Sequence, residues 1–277
     1  GIKIPLTSFD GTFTTNFTVD IQSQGTKAIQ AMYGTYDVGT ISSFVINPNI
    51  TEITPAAGTV GFVVMVTGNG YSPSTVNIYF GTNAAKITDT IASSSGTFTC
   101  PFTVNTQPYG STTVIAKDMA SSKQSLGSFT IKSNIYEVTP VSGTVGSSVT
   151  IRGTGYVGGI NKQIRIDFGT TQTIVSNIYT EVANGTFSAV FVVDTQTYGT
   201  TTIKATYVDD ANQTAGRVFT ICPAIYKISP TQGTIGAGVI VYGNGYAASD
   251  VVSVKFGQTS GIATATVEAP GSFTAMF

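Results

Sequence analysis

The chain has 277 residues, and charged residues make up only 10% of them, well below the roughly 25% of an ordinary soluble domain. The formal net charge is −1, so the chain lacks the basic surface with which nucleic-acid-binding proteins neutralise phosphates. It contains no His, which excludes a Ser-His-Asp triad and an HExxH zinc site. No apolar run approaches the roughly 18 residues of a membrane span. We therefore expect no enzyme, with no catalytic and no cofactor-binding residues.

A set of short landmarks recurs along the chain in a fixed order, which is the mark of a repeat protein. Pro-x-x-Gly-Thr-(Val/Ile)-Gly is followed by Gly-x-Gly-Tyr, by an apolar run ending in Phe-Gly, by Gly-(Thr/Ser)-Phe and by Tyr-Gly. The landmarks fall at Pro55, Pro140 and Pro230; at Tyr71, Tyr156 and Tyr246; at Phe80, Phe168 and Phe256; at Gly11, Gly96, Gly185 and Gly271; and at Tyr109 and Tyr198.

These landmarks predict four segments in chain order. Residues 1–49 match the back half of a repeat, 50–134 and 135–224 are complete repeats, and 225–277 match the front half. The two half repeats indicate either a longer chain that continues outside them or completion of one half by the other between molecules. Both halves carry the Gly-(Thr/Ser)-Phe strand, and this duplication favours the longer chain.

Each complete repeat is predicted to be a β-sandwich. Val76–Phe80 and Ile164–Phe168 alternate apolar and polar residues, the pattern of half-buried strands. Phe98, Cys100 and Phe102 would share the inward face of a later strand. The Gly-x-Gly and Phe-Gly pairs supply positive-φ positions for chain reversal. About seven such strands with frequent turns, and no helical period, predict an immunoglobulin-like fold.

The junctions between repeats are short. Phe44-Val45-Ile46 leads within a few residues to Ile50, and the later junctions are similar, with Pro48 and Pro223 in two of them. No Gly/Ser tract of the kind found in flexible linkers intervenes. We expect a semi-rigid linear array of tandem sandwiches.

The landmarks from Pro-x-x-Gly-Thr-Val-Gly to Phe-Gly resemble the IPT/TIG family of immunoglobulin-like domains, in the tandem form found in large prokaryotic cell-surface and S-layer proteins. The resemblance implies early-set-type sandwiches stacked end to end as spacers or lattice elements. It brings no catalytic residue with it. The family's DNA-contacting members use basic loops, which this sequence lacks.

Several motifs have both a functional and a structural interpretation. Residues 153–158 fit GxGxxG, but the recurrence of Gly-x-Gly before another strand favours a turn over a dinucleotide site. Asp20, Asn105 and Asp194 occupy one aligned position, where Asx turns are simpler than a calcium site. The remaining motifs are an acidic loop that is a weak Ca²⁺ candidate or a solvated loop tip, at Asp209, Asp210 and Asn212, and two cysteines predicted to be unpaired, at Cys100 and Cys222.

Four Asn-x-Ser/Thr sequons are candidate glycosylation sites, namely Asn16, Asn49, Asn184 and Asn212. The turn Asn184-Gly185-Thr186 is expected to be exposed.

The function that the sequence favours is that of a structural segment in a secreted, repetitive cell-surface protein, such as an S-layer subunit, stalk or matrix component. Its expected partners are copies of itself or neighbouring repeats. The alternative is an adhesin or carbohydrate-binding module that recognises cell-surface glycans. The recurring Tyr71, Tyr156 and Tyr246 are the candidate sugar platforms, although their place after Gly-x-Gly favours packing against the turn.

Overall fold

A computed structural model describes residues 12–33, 35–82 and 84–277. The regular structure of the described residues is entirely β, as the sequence predicts. The chain divides into two compact units, one made of Gly1–Ala56, Val63–Phe102 and Thr113–Phe129, the other of Ala57–Phe62, Thr103–Thr112 and Thr130–Phe277. We keep the four predicted segments as names for parts of the chain; their exact division stays a prediction.

Segment 1–49 contributes one antiparallel hairpin, and segment 50–134 contributes two sheets. The hairpin consists of β1 (Gly25–Tyr33) and β2 (Tyr36–Ile46). The strands that follow are β3 (Asn49–Thr54), β4 (Ala57–Gly58), β5 (Val63–Asn69), β6 (Thr75–Phe80), β7 (Thr88–Ile91), β8 (Phe98–Thr103), β9 (Gly110–Asp118) and β10 (Gln124–Ile131). They pair in the orders β3-β5-β8 and β4-β10-β9-β6-β7.

Segment 135–224 repeats this topology strand for strand. Its strands are β11 (Asn134–Thr139), β12 (Ser142–Gly143), β13 (Ser148–Thr154), β14 (Gln163–Phe168), β15 (Thr171–Tyr179), β16 (Phe187–Val192), β17 (Gly199–Tyr207) and β18 (Asp210–Ile221). The sheet orders are β11-β13-β16 and β12-β18-β17-β14-β15. The predicted tandem immunoglobulin-like sandwich is therefore confirmed.

Segment 225–277 repeats only the front strands. They are β19 (Ala224–Ser229), β20 (Ile240–Asn244), β21 (Val251–Phe256), β22 (Thr259–Thr266) and β23 (Phe273–Met276). A three-stranded sheet has the order β19-β20-β23, and β21 pairs with β22 in a second sheet.

The alternating residues form the cores, as predicted. Ile164, Ile166 and Phe168 are fully buried between the two sheets of their sandwich. The ring centroid of Phe168 lies 5.1 Å from that of Phe191 on β16 and 5.6 Å from that of Phe219 on β18. These rings join the two sheets, and aromatic pairs at such distances add to the stabilisation from burial.

The Gly-x-Gly-Tyr landmark needs its two glycines for different reasons. A Cβ on Gly153 would lie 2.1 Å from the Phe187 ring, so the first glycine makes room for a core side chain. Gly155 has φ +69° and its Cβ would lie 2.4 Å from the carbonyl oxygen of Lys132. The chain reverses there and continues into strand β14, and the helix that a dinucleotide site requires does not follow.

The Pro-x-x-Gly landmark forms a strand that the sequence pattern did not predict. β4 and β12 have two residues each and pair parallel with the last strand of their own segment, Ala57 with Thr130 and Ser142 with Thr220. The landmark thus moves the chain from one sheet to the other and helps to close the sandwich.

Candidate functional site: the joints between segments

The loop before β9, which carries Tyr109, contacts the segment that follows it. Its counterparts in the other segments do the same. The clearest example involves Tyr109 and Tyr156. The backbone N–H of Tyr109 donates to the carbonyl oxygen of Tyr156 at 3.0 Å, and the N–H of Tyr156 donates to the carbonyl oxygen of Gly185 at 3.1 Å. A Tyr-Gly loop of one segment is thus bonded to the Gly-x-Gly-Tyr turn of the next, which is bonded to the Gly-(Thr/Ser)-Phe turn. We call this three-part contact the joint.

Gly185 has no room for a side chain. Its φ is +64°, in the left-handed region that favours glycine. A Cβ there would lie 1.7 Å from the carbonyl oxygen of Tyr156 and 3.2 Å from Cα of Pro108 in the preceding segment. The landmark glycine therefore allows two segments to approach closely.

This corrects the expectation that the turn Asn184-Gly185-Thr186 is exposed. Gly185 is buried, and both flanking residues are half-buried. Oδ1 of Asn184 accepts hydrogen bonds from the N–H and the hydroxyl of Thr186 at 3.1 and 2.9 Å. The turn is covered because the preceding loop packs on it, a contact that sequence position could not indicate.

The same joint occurs at the other two junctions. The N–H of Gln24 donates to the carbonyl oxygen of Tyr71 at 3.1 Å, and the N–H of Tyr198 donates to that of Tyr246 at 3.2 Å. The missing Cβ of Gly96 would lie 2.7 Å from Cα of Ser23, and that of Gly271 2.9 Å from the carbonyl oxygen of Gln196. Three joints built alike mean that the contact is part of the repeat.

A second attachment lies where the chain itself passes between segments. The positive-φ glycine of each Gly-x-Gly-Tyr turn packs against the backbone that enters its segment. The missing Cβ atoms would lie 2.5 Å from the oxygen of Asn47 for Gly70, 2.4 Å from that of Lys132 for Gly155 and 2.7 Å from that of Cys222 for Gly245. Two attachments, one by the chain and one by a loop, restrain bending more than a single linker does.

A side-chain pair holds each joint loop in shape. The Gln side-chain amide donates to the Asx residue two positions earlier, at 2.5 Å for Gln22 and Asp20, 3.0 Å for Gln107 and Asn105, and 3.1 Å for Gln196 and Asp194. Gln107 and Gln196 are buried although they are polar, and buried amides require such partners. The aligned Asx position therefore supports the loop. The sequence predicted the bend, with an Asx turn as its cause, and the Gln donor was missed.

Two of the three recurring tyrosines lie in the core. Tyr71 and Tyr156 are fully buried, and the Tyr156 hydroxyl donates to the carbonyl oxygen of Ala205 at 3.1 Å. Burial raises the pKa of both phenols well above the ordinary value. Tyr246 is half-buried, with its ring centroid 5.0 Å from that of Phe273. Because the rings of Tyr71 and Tyr156 are buried, neither can serve as a stacking platform for a sugar. For these two tyrosines, packing against the turn is the correct interpretation.

The carboxylates of the acidic loop accept hydrogen bonds from neighbouring residues of the same loop. The Tyr207 hydroxyl donates to Asp209 at 2.7 Å, and the backbone N–H of Asn212 donates to Asp210 at 3.0 Å. The Asn212 N–H and then the Gln213 amide lower the pKa of Asp210. The described residues contain no group of three or more His, Cys, Asp or Glu side chains placed to hold a metal ion. The Ca²⁺ site at Asp209, Asp210 and Asn212 stays a prediction.

The remaining candidates are placed as follows. Asn16, Asn49 and Asn212 are exposed, whereas Asn184 is half-buried, and glycosylation at all four stays a prediction. Cys100 is buried and Cys222 is half-buried, and both are free thiols, as expected.

One buried charge was missed by sequence reasoning. Asp118, at the end of β9, is fully buried and accepts hydrogen bonds from the backbone N–H groups of Ser72, Ala120 and Ser121 at 2.8, 2.9 and 3.2 Å. Burial raises the pKa of its carboxyl, but the bonds from Ser72 and Ser121 outweigh this and leave the pKa below the ordinary value. Its counterpart in the next segment is Tyr207, so no recurrence indicates it.

The comparisons with known proteins agree with this fold. Residues 48–131 match the IPT/TIG domain. No curated protein sequence matches the chain. The described residues include no helix long and apolar enough to cross a membrane.

The solved structures that match this chain include three proteins of low sequence identity. A tetra-tandem repeat from the extending region of a large adhesion protein is 18% identical, with TM-score 0.27, over 82% of this chain and 64% of that one. Invasin, a bacterial integrin-binding protein, is 18% identical, with TM-score 0.25, over 82% and 52%. The BSP domain of a biofilm-associated protein is 15% identical, with TM-score 0.24, over 63% and 29%. The chain spans less than two thirds of the length of each.

Proposed function

We propose that this chain is a structural segment of a secreted, repetitive cell-surface protein, in the manner of an S-layer subunit, a stalk or a matrix component. The observation that carries the proposal is the joint, which occurs three times with the same backbone hydrogen bond at 3.0 to 3.2 Å. A protein selected for one local binding site has no need to build every junction alike. A protein that must transmit force or keep a spacing along a row of domains does.

The surface supports the same proposal. Only 10% of the residues are charged, and the outward positions of β17 include exposed Thr200 and Thr202. Few charged side chains have to be desolvated when two such faces meet, so lateral packing with other repeats carries a small desolvation penalty. The proposed partners are therefore copies of the chain or neighbouring repeats, at an extracellular location.

The alternative role as a carbohydrate-binding module lacks support at its strongest candidates, because Tyr71 and Tyr156 are buried. A glycan site would have to use the half-buried Tyr246 or residues other than the three recurring tyrosines.

Immunoelectron microscopy of the source cells, with antibodies raised against residues 135–224, tests the proposal. We expect label on the outer surface, in a continuous layer or along stalks. Label confined to the cell interior would contradict the structural role, and a protein recovered only as a dispersed soluble monomer would contradict its S-layer version.

A further inference from the structure

A groove lies along one flank of segment 135–224, between the two sheets of its sandwich. One wall comes from β11 and the residues that follow it, the other from β17 and β18, and the volume is about 750 Å³. Ligand sites commonly measure about 300–1,000 Å³. Three apolar side chains of the lining are exposed, Tyr136 by 49%, Val141 by 67% and Val218 by 61%. The groove is therefore open to solvent and has the size of a ligand site.

The lining of the groove is particular to this segment. In segment 50–134 the counterpart of Arg217 is Gly127, and the missing Cβ of Gly127 would lie 2.5 Å from Cδ1 of Ile53. An Ile side chain thus covers the last strand at that position. Segment 135–224 has the smaller Val138 in place of Ile53 and an arginine in place of the glycine. The groove is therefore a departure from the repeat, and the repeat itself does not explain it.

Arg217 is held in position by its own segment. Its Nε donates to the carbonyl oxygen of Ile135 at 2.6 Å, so the side chain reaches from β18 to β11. Within the described residues, its two terminal nitrogens have no hydrogen-bond partner. A guanidinium fixed at Nε presents its terminal nitrogens as a rigid fork, which matches the two oxygens of a carboxylate.

The charge of the lining also favours an anion. Glu137 is the acidic side chain of the groove, and its carboxylate lies 3.3 Å from Nη1 of Arg152 on the neighbouring strand β13. That ion pair neutralises Glu137. Arg217 is left as the unpaired charge of the lining.

The other groups of the groove suit a sugar ring. Tyr136 follows Ile135 directly, so its half-exposed ring and the guanidinium are neighbours in the lining. The N–H of Thr220 donates to the carbonyl oxygen of Val141 at 3.1 Å. Because backbone groups alternate along a strand, those of Val218 face the same flank, where β12 pairs only with Thr220 and Ile221. An aromatic ring takes the apolar face of a sugar, and the backbone groups take its hydroxyls.

A peptide strand suits the groove less well. It would have to run along the free edge of β18 to pair with it. The side chain of Arg217 reaches across that edge to β11 and interrupts the path.

We propose that this groove binds an acidic carbohydrate, with the carboxylate of a uronic acid on the terminal nitrogens of Arg217 and the sugar ring against Tyr136. The site goes beyond the structural role and does not depend on it, because it belongs to one segment and uses none of the joint residues.

Isothermal titration of the full chain with tetragalacturonic acid tests the ligand class. We expect saturable binding of this probe. Its methyl ester has the same rings without the charges, and we expect it to bind at least about tenfold more weakly, as loss of a charge-assisted hydrogen-bonded pair does.

Three variants test the residues. Arg217→Gln should weaken binding at least about tenfold, and Arg217→Lys should retain part of the affinity, because the charge stays and the fork is lost. Tyr136→Thr introduces the residue of segment 50–134 and should weaken binding about fivefold or more. The matched control is Arg165→Gln, which should bind normally, since Arg165 lies on β14, two strands from β18 and about 10 Å away.

The absence of saturable binding, equal binding of the methyl ester, or equal loss in Arg217→Gln and Arg165→Gln would overturn the proposal. Tighter binding of hexaglutamate than of tetragalacturonic acid would assign the groove to an acidic peptide and overturn it as well. These outcomes leave the cell-surface role untouched, because that role is tested by location in the cell.

Discussion

Replacing Gly185 with Ala tests whether the joint is as tight as its geometry indicates. The added methyl group would lie 1.7 Å from the carbonyl oxygen of Tyr156 and 2.8 Å from its carbonyl carbon. Both atoms belong to backbone, which cannot rotate away as the tip of a side chain can. The turn has to move, and the hydrogen bonds that meet at Tyr156 move with it.

The cost can be worked out from three contributions. A non-glycine residue at φ +64° costs about 1–2 kcal/mol. The bonds from Tyr156 to Gly185 and from Tyr109 to Tyr156 contribute about 1 kcal/mol each when both are lost. We therefore expect Gly185→Ala to destabilise segment 135–224 by about 3–4 kcal/mol.

The matched control is Gly146→Ala in the same segment. Gly146 has φ +89°, and its Cβ would meet nothing within 4 Å, so this change costs only the conformational contribution of about 1–2 kcal/mol. Hydrogen-exchange mass spectrometry of the full chain in increasing urea measures the two variants through peptides from β13, β14 and β17. Equal destabilisation by the two substitutions would refute the close approach at the joint.

Two buried ionisable groups, Tyr156 and Asp118, predict how the free energy of unfolding depends on pH. Urea unfolding at a series of pH values measures this dependence. Because burial raises the pKa of Tyr156 above its ordinary 10.0, the neutral phenol stabilises segment 135–224 below about pH 10, and this contribution is lost as the pH rises further. Tyr156→Phe should cost about 1 kcal/mol at neutral pH, from the lost hydrogen bond, and should remove its share of the alkaline destabilisation; an unchanged alkaline profile would contradict this. Because the pKa of Asp118 lies below its ordinary 3.8, its contribution to segment 50–134 is complete above that pH and is lost as the pH falls through the lowered pKa. Asp118→Asn should cost about 1–3 kcal/mol at pH 7 and less at pH 2, and a cost independent of pH would show that the charge is unimportant.

The sandwich could be predicted because its evidence is local and repeated. Alternation over Ile164–Phe168 predicts a strand with one buried face, and the structure buries that face completely. β4 and β12 were not predicted, because a strand of two residues is too short to show the alternating pattern. Their pairing with β10 and β18 depends on residues more than 70 positions away, which no local pattern encodes.

The joint was only half predictable. Short junctions without a Gly/Ser tract indicated restrained segments, and Gly185 and its counterparts were identified only as recurring landmarks at a turn. A turn that needs positive φ and a turn that needs room for a neighbouring segment both select glycine, and the sequence cannot separate them. The structure does so, because Gly146 has open space beside it and Gly185 does not.

Asp118 shows a different limit. A single Asp at the end of a strand, in a chain with fourteen acidic residues, has no feature that distinguishes it from a solvated one. Its burial follows from three backbone N–H groups that the fold brings to it, and such convergence exists only after folding.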